Sequence, residues 1–206
     1  MRPDTHIPVT HVGSLVCPPA LVQYLAAMEA DESIDEAGFR DCLAHAVTDV
    51  VQAQAQAEAG VDIVSDGEFG KSHSWSRYVL DRLSGFELHK NESASKLKAG
   101  EVISAGNDRR LFPEFYAEYD RSQGFTGLMG AWVCTGPNRY AGHADLQRDI
   151  ANLKTAMDKA GVAEGFLPVV APASVAPKRR DEYYASDAEF IFAIADAMHE
   201  EYAAIV

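Results

Sequence analysis

Two carboxylates separated by one glycine, Asp66 and Glu68, close a short apolar run in the stretch VDIVSDGE, Val61 to Glu68. Val61, Ile63 and Val64 read as a buried strand, and Ala57-Glu58-Ala59-Gly60 before them reads as a helix end with Gly60 as its stop. Both acids therefore fall at the C-terminal mouth of a strand, where alternating β/α folds bind their ligands. An Asp-Gly-Glu also serves as a plain solvated turn. Three other strand-like runs weigh toward ligand binding, because each also ends in unusual residues: HVGSL from His11, TGPNRY from Thr135, and APAS from Ala171 to Ser174.

The chain that must position these ends has 206 residues, 47% of them apolar and 24% charged, enough for one substantial core. A single domain over residues 1–206 is expected. The 18 basic and 31 acidic residues give a net charge of -13, which disfavours nonspecific binding to nucleic acid or to an anionic membrane. The N-terminal MRPDTHIPVTHVGSL has no basic region followed by a long apolar segment, and no window holds the roughly 18 apolar residues of a membrane span. A cytoplasmic protein is expected. Cys17, Cys42 and Cys134 are odd in number and widely spaced, so free thiols in a reducing compartment are expected, not a disulfide framework or a CxxC zinc motif.

Ile7 to Val12 reads as a first strand, followed by a turn at Gly13-Ser14 and a helix of about Pro19 to Ala30, opened by proline where its missing N–H is not needed. A second helix runs from Ser33 or Asp35 to about Ala59, with Phe39, Leu43, Ala46, Val47, Val50, Val51 and Ala57 giving a period near 3.6. After Glu68 a helix of about Trp75 to Leu83 ends at Gly85. Phe86 to His89 and Glu101 to Ser104 are expected to pair as a hairpin, with a helix at Pro113 to Tyr119; residues 86 to 124 read as an excursion inserted in the second β/α unit. Leu128 to Cys134 is the third strand, Ala144 to Ala160 a helix stopped by Gly161, and Phe166 to Ala171 the fourth strand. Lys178-Arg179-Arg180-Asp181 reads as a solvated loop. The last helix starts with Ser186 as N-cap and Asp187 and Glu189 in its first turn, and its apolar face is Phe190, Ile194, Met198, Tyr202 and Ile205. It reaches the end of the chain without a stop signal. Four strands, each followed by helix, make an α/β fold of the (β/α)8 TIM-barrel type, truncated to about its first four β/α units.

With HVGSL, VDIVSDGE, TGPNRY and the YYASDAEFIFAIADAMHEEYAAIV ending in view, the chain resembles the cobalamin-independent methionine synthase family, specifically the N-terminal half of its catalytic barrel and the smaller stand-alone relatives. The resemblance implies a zinc-dependent methyltransferase moving a methyl group from a methyl-folate to a thiol such as homocysteine. It implies that Gly13 and Ser14 hold the amino acid's carboxylate, that Glu68 takes its ammonium group, and that Gly136 and Pro137 line the cavity. Asp66 stands where the type enzyme has a histidine, as in the smaller relatives, and Asn138 and Arg139 depart from the type enzyme. Catalytic roles are thus expected for Glu68 and Asp66, and substrate contacts for His11, Gly13, Ser14, Trp75, Gly136, Pro137, Asn138 and Ser174. Trp75 and Trp132 offer stacking surfaces to a pterin, or core packing. His45 reads as structural, while His73 and His143 are placed in mouth loops.

The family's zinc ligands are implied to lie beyond Val206, so no metal site is expected in the chain. His11, Cys17, Glu68 and Cys134 have ligand chemistry but poor spacing, and Cys134 reads as a small core residue. A missing C-terminal half or a second copy is the expected partner, beside a small thiol substrate. Two alternatives stand next to the methyltransferase: a related alkyl transferase acting on another thiol, suggested by Asp66 and Arg139, and a non-catalytic half-barrel that assembles with a partner or itself.

Overall fold

In the computed structural model the described residues are 7–30, 32–56, 60–71, 75–89, 111–122, 131–175 and 180–206. They form a mixed α/β structure of helices and two small sheets, and the chain divides into two compact units. The first comprises residues 1–78, 142–169 and 205–206; the second comprises residues 79–141 and 170–204.

The first unit is built on three helices. Pro18 and Pro19 open α1, Pro19–Glu29, and Asp35 caps α2, Glu36–Ala55, by accepting the N–H groups of Ala37 and Gly38. α5, His143–Ala160, stops at Gly161, which takes the left-handed conformation at φ 68 that glycine adopts without a Cβ penalty. α2 packs chiefly on α5. Leu21, Leu25, Phe39, Leu43, Ala46, Val47 and Val51 meet Val64, Phe69, Leu153 and Ala156 in one core. The helical period read from the sequence is the period that is buried.

Beside these helices β1, Val64–Ser65, pairs in parallel with β4, Gly165–Phe166. The first predicted strand contributes a single parallel bridge, Thr10 to Ile63. Its neighbouring groups are held by side chains: Asp62 accepts the Val9 N–H at 2.9 Å, and the Thr10 hydroxyl donates to the Ile63 carbonyl at 2.7 Å. The strand expected over Phe166 to Ala171 is likewise paired at Phe166 only, the residues after it carrying no ladder.

In the second unit three strands lie in the order β2–β3–β5. β2, Phe86–His89, runs antiparallel to β3, Ala131–Cys134, so its described partner is not the Glu101–Ser104 segment, which lies outside the described residues. β5, Arg180–Asp181, joins β3 in parallel; what reads as the end of a solvated loop is an edge strand, fixed by the Glu182 N–H donating to the Cys134 carbonyl at 2.9 Å. The helices α4, Pro113–Ser122, and α6, Pro172–Val175, are short, and α3, Trp75–Leu80, whose residues 75–78 belong to the first unit, ends earlier than Leu83. α7, Asp187–Ile205, is capped reciprocally: Ser186 Oγ accepts the Glu189 N–H, and Glu189 accepts the Ala185 N–H. It buries Phe190, Ile194, Ala197 and Met198, together with Glu201, which the apolar pattern missed. Glu201 lies 3.7 Å from the Arg82 guanidinium, and both side chains are almost fully enclosed. Among the described residues no helix is long and apolar enough to cross a membrane.

Candidate functional site

The turn after β1 is pinned from below. Gln54 of α2 presents its side-chain amide to Ser65 as a strand would, donating to the Ser65 carbonyl at 2.8 Å and accepting the Ser65 N–H at 3.1 Å. Ser65 and Gln54 are both buried, so each of these backbone groups needs that partner. From this fixed point the chain turns through Gly67 at φ 69 and Glu68 at φ 64. Among the described residues Glu68 is the one non-glycine with positive φ, a conformation that side chains oppose.

Three contacts hold it there. Asp66 Oδ1 accepts the Glu68 N–H at 3.0 Å, the Lys71 N–H donates to the Glu68 carbonyl at 3.3 Å, and the Ser14 hydroxyl donates to Glu68 Oε2 at 2.5 Å. The Leu15 N–H, donating to the Gly67 carbonyl at 3.1 Å, brings the Gly13-Ser14 segment alongside. Gly13 sits at φ 110, and among the described residues nothing comes within 4 Å of where its Cβ would stand. The outcome is a half-buried carboxylate with a hydroxyl on one oxygen, next to an open glycine corner.

Asp66 does not share that exposure. Placed by the sequence at an exposed strand mouth, it is 2% exposed, and its Oδ2 lies 3.4 Å from the Lys71 ammonium group, which is also buried. The sequence reasoning passed over Lys71, and the signal was its position five residues after Asp66, across a turn. Burial pushes the Asp66 carboxyl up despite the attraction of Lys71, and the same burial pulls the Lys71 amine down.

In the second unit the turn after β3 folds onto Ser84-Gly85. The Thr135 N–H donates to the Gly85 carbonyl at 2.9 Å, and a Cβ on Gly85, at φ 88, would strike the Gly136 carbonyl at 2.6 Å. Asn138, expected to contact substrate, is buried: its N–H donates to the Tyr184 hydroxyl, its Nδ2 donates to the Ser84 carbonyl, and its Oδ1 faces the Cys134 thiol. Pro137 accepts from the Ser84 hydroxyl. Ser174 is exposed in α6.

The structure thus brings Gly13, Ser14, Asp66 and Glu68 together in the first unit, and Gly136, Pro137 and Asn138 together in the second. His11 lies in the first unit, its Nε2 buried without a hydrogen-bond partner among the described residues. The Trp75 side chain and His73 lie outside the described residues. His143 begins α5 instead of lying in a loop, and His45 is exposed, with Nδ1 at the Asp41 carbonyl.

Among the described residues no three His, Cys, Asp or Glu side chains gather as a metal group. Cys134, fully buried, has its thiol at the Gly136 carbonyl, and desolvation pushes that thiol up to about 11, away from the thiolate a metal needs.

Together these features define an α/β protein whose parallel strand β1 ends in a held, half-buried carboxylate. No family model matches the sequence, and no curated protein does. Among solved structures the chain is similar to a B12-independent methionine synthase from Shewanella sp. W3-18-1, in complex with selenomethionine. The TM-score is 0.56 at 16% identity, over 96% of this chain and 48% of that one. The chain therefore spans about half the length of that protein, and what the two share is the fold.

Proposed function

We propose that the Ser14–Glu68 corner receives the ammonium group of an amino-acid thiol, homocysteine being the first candidate, and that the chain is the substrate-holding part of a methionine synthase-type methyltransferase. The observation that carries this is the Ser14 hydroxyl 2.5 Å from a Glu68 carboxylate presented on left-handed backbone. Strain of that kind collects where a side chain must be aimed. A carboxylate with one oxygen already hydrogen-bonded retains acceptor capacity for an ammonium group. The open corner at Gly13 suits the amino acid's carboxylate.

In the transfer itself the thiol sulfur attacks the methyl carbon of a methyl-folate. An S–C bond forms as the N–CH3 bond breaks, and the thiol proton ends on the folate nitrogen. The contribution of Ser14 and Glu68 is orientation, holding the amino-acid end so that the sulfur points at the donor. Asp66, buried, has no direct part in selecting the thiol. The described β/α units belong, in this reading, to a (β/α)8-type barrel completed by a partner polypeptide or a second copy; the alignment of nearly the whole chain with half of a methionine synthase supports it. The three free cysteines suit a cytoplasmic setting.

Titration calorimetry of L-homocysteine tests the site. Glu68→Gln should weaken binding by the value of a charge-assisted hydrogen bond, about 1.5–3 kcal/mol, with the melting temperature unmoved. Lost stability with unchanged affinity would make Glu68 a structural residue.

A further inference from the structure

We infer that the buried Lys71–Asp66 pair is a positioning device for Glu68, fixing the left-handed turn that aims its carboxylate while contributing little to the stability of the fold. This rests on the reading of Glu68 as the group that meets the ligand. Both ends of the Glu68 peptide are tied to the pair: its N–H to Asp66 Oδ1 at 3.0 Å, its carbonyl to the Lys71 backbone N–H at 3.3 Å. The remaining Asp66 oxygen meets the Lys71 ammonium group at 3.4 Å, so one enclosed carboxylate links the strained residue to a fixed charge. An ionised acceptor holds an N–H more firmly than a neutral one, which suits a backbone that would otherwise relax.

A pair kept for stability would show the opposite balance. Here desolvation is the first cause acting on each partner, pushing Asp66 up and Lys71 down, so each charge is less favoured in the fold than in water. From α5, Asp149 faces the same cluster; its Oδ1 would lie 3.0 Å from a Cβ on Gly70, and it carries the Arg148 guanidinium at 2.9 Å. Glu68 is a further charge acting on Lys71, and from the following helix the Tyr78 ring lies 5.8 Å from the Lys71 ammonium group. The turn is thereby seated among charges from its own residues and from one helix, and what they jointly determine is where Glu68 points.

The test combines amide exchange of the ligand-free full chain, read by NMR at Glu68 and at Ser65 as internal reference, with calorimetry of L-homocysteine. Asp66→Ala should speed Glu68 exchange relative to Ser65 by about tenfold or more and weaken homocysteine by a similar factor; Asp66→Asn, which keeps a neutral acceptor, should fall between Asp66→Ala and wild type in both. Unchanged exchange and affinity in Asp66→Ala would overturn the proposal, and so would exchange that moves without affinity. If wild-type chain binds no homocysteine while exchange follows Asp66 as stated, the substrate reading fails and the hold of the pair on the turn stands. Should Asp66→Ala not fold, the wild-type chain decides by itself. Its Glu68-to-Ser65 exchange ratio should rise as acid protonates Asp66, and a constant ratio would overturn the proposal.

Discussion

At Glu68 the backbone adopts φ 64, which an L side chain tolerates at about 1–2 kcal/mol and glycine at almost nothing. Glu68→Gly should therefore be more stable than Glu68→Ala by about 1 kcal/mol in urea unfolding, although both lose the carboxylate; equal stabilities would mean the turn relaxes freely in solution. The charges beneath it behave differently. Lys71→Met leaves Asp66 buried without its counter-charge and should cost about 3–5 kcal/mol, most of it recovered when Asp66→Asn is added. The pH dependence follows the same signs. Asp66, raised above its ordinary 3.8, stabilises the fold below that value and loses this contribution as pH rises through its folded pKa. Lys71, lowered from 10.5, contributes above that value and loses it as pH falls through its own folded pKa. The double variant should accordingly lose the decline in stability that the wild type shows as pH rises from 3.8 through the folded pKa of Asp66. The sequence singled out both carboxylates, yet not that one would be buried, because burial depends on a lysine whose role only the closed turn reveals.

At the scale of elements, helices were the legible part. Their 3.6-residue period is local, and Leu43, Val47 and Val51 on α2 are buried where that period puts them. Strands were less so, since a strand exists by virtue of a partner distant in sequence. Arg180-Asp181 has no apolar pattern and is a strand only because Val133-Cys134 lies beside it. Equally hidden was Gln54, a polar residue on a buried helix face that completes β1 in place of a neighbouring strand. Gln54→Ala would orphan a buried N–H and a buried carbonyl of Ser65 and should cost about 1–3 kcal/mol in urea unfolding. Because Ser65 starts the turn, homocysteine affinity should fall in the same variant. A neutral substitution would show that water replaces the amide readily.

At the scale of the whole molecule, the likeness to a methionine synthase is one of fold, and the described residues carry two small sheets in place of a closed barrel. Unpaired strand edges seek partners. If a second copy completes the barrel, analytical ultracentrifugation should show a dimer that strengthens with concentration; a cooperatively melting monomer at high concentration would direct the search to a different polypeptide. The central claim, that Glu68 meets an ammonium group, is tested most directly by a calorimetric cycle with L-homocysteine and its desamino analogue, a mercaptobutanoate, on wild type and Glu68→Gln. Wild type should prefer homocysteine by about tenfold or more, and Glu68→Gln should erase that preference. A preference that survives in Glu68→Gln, or that is absent from wild type, would contradict it.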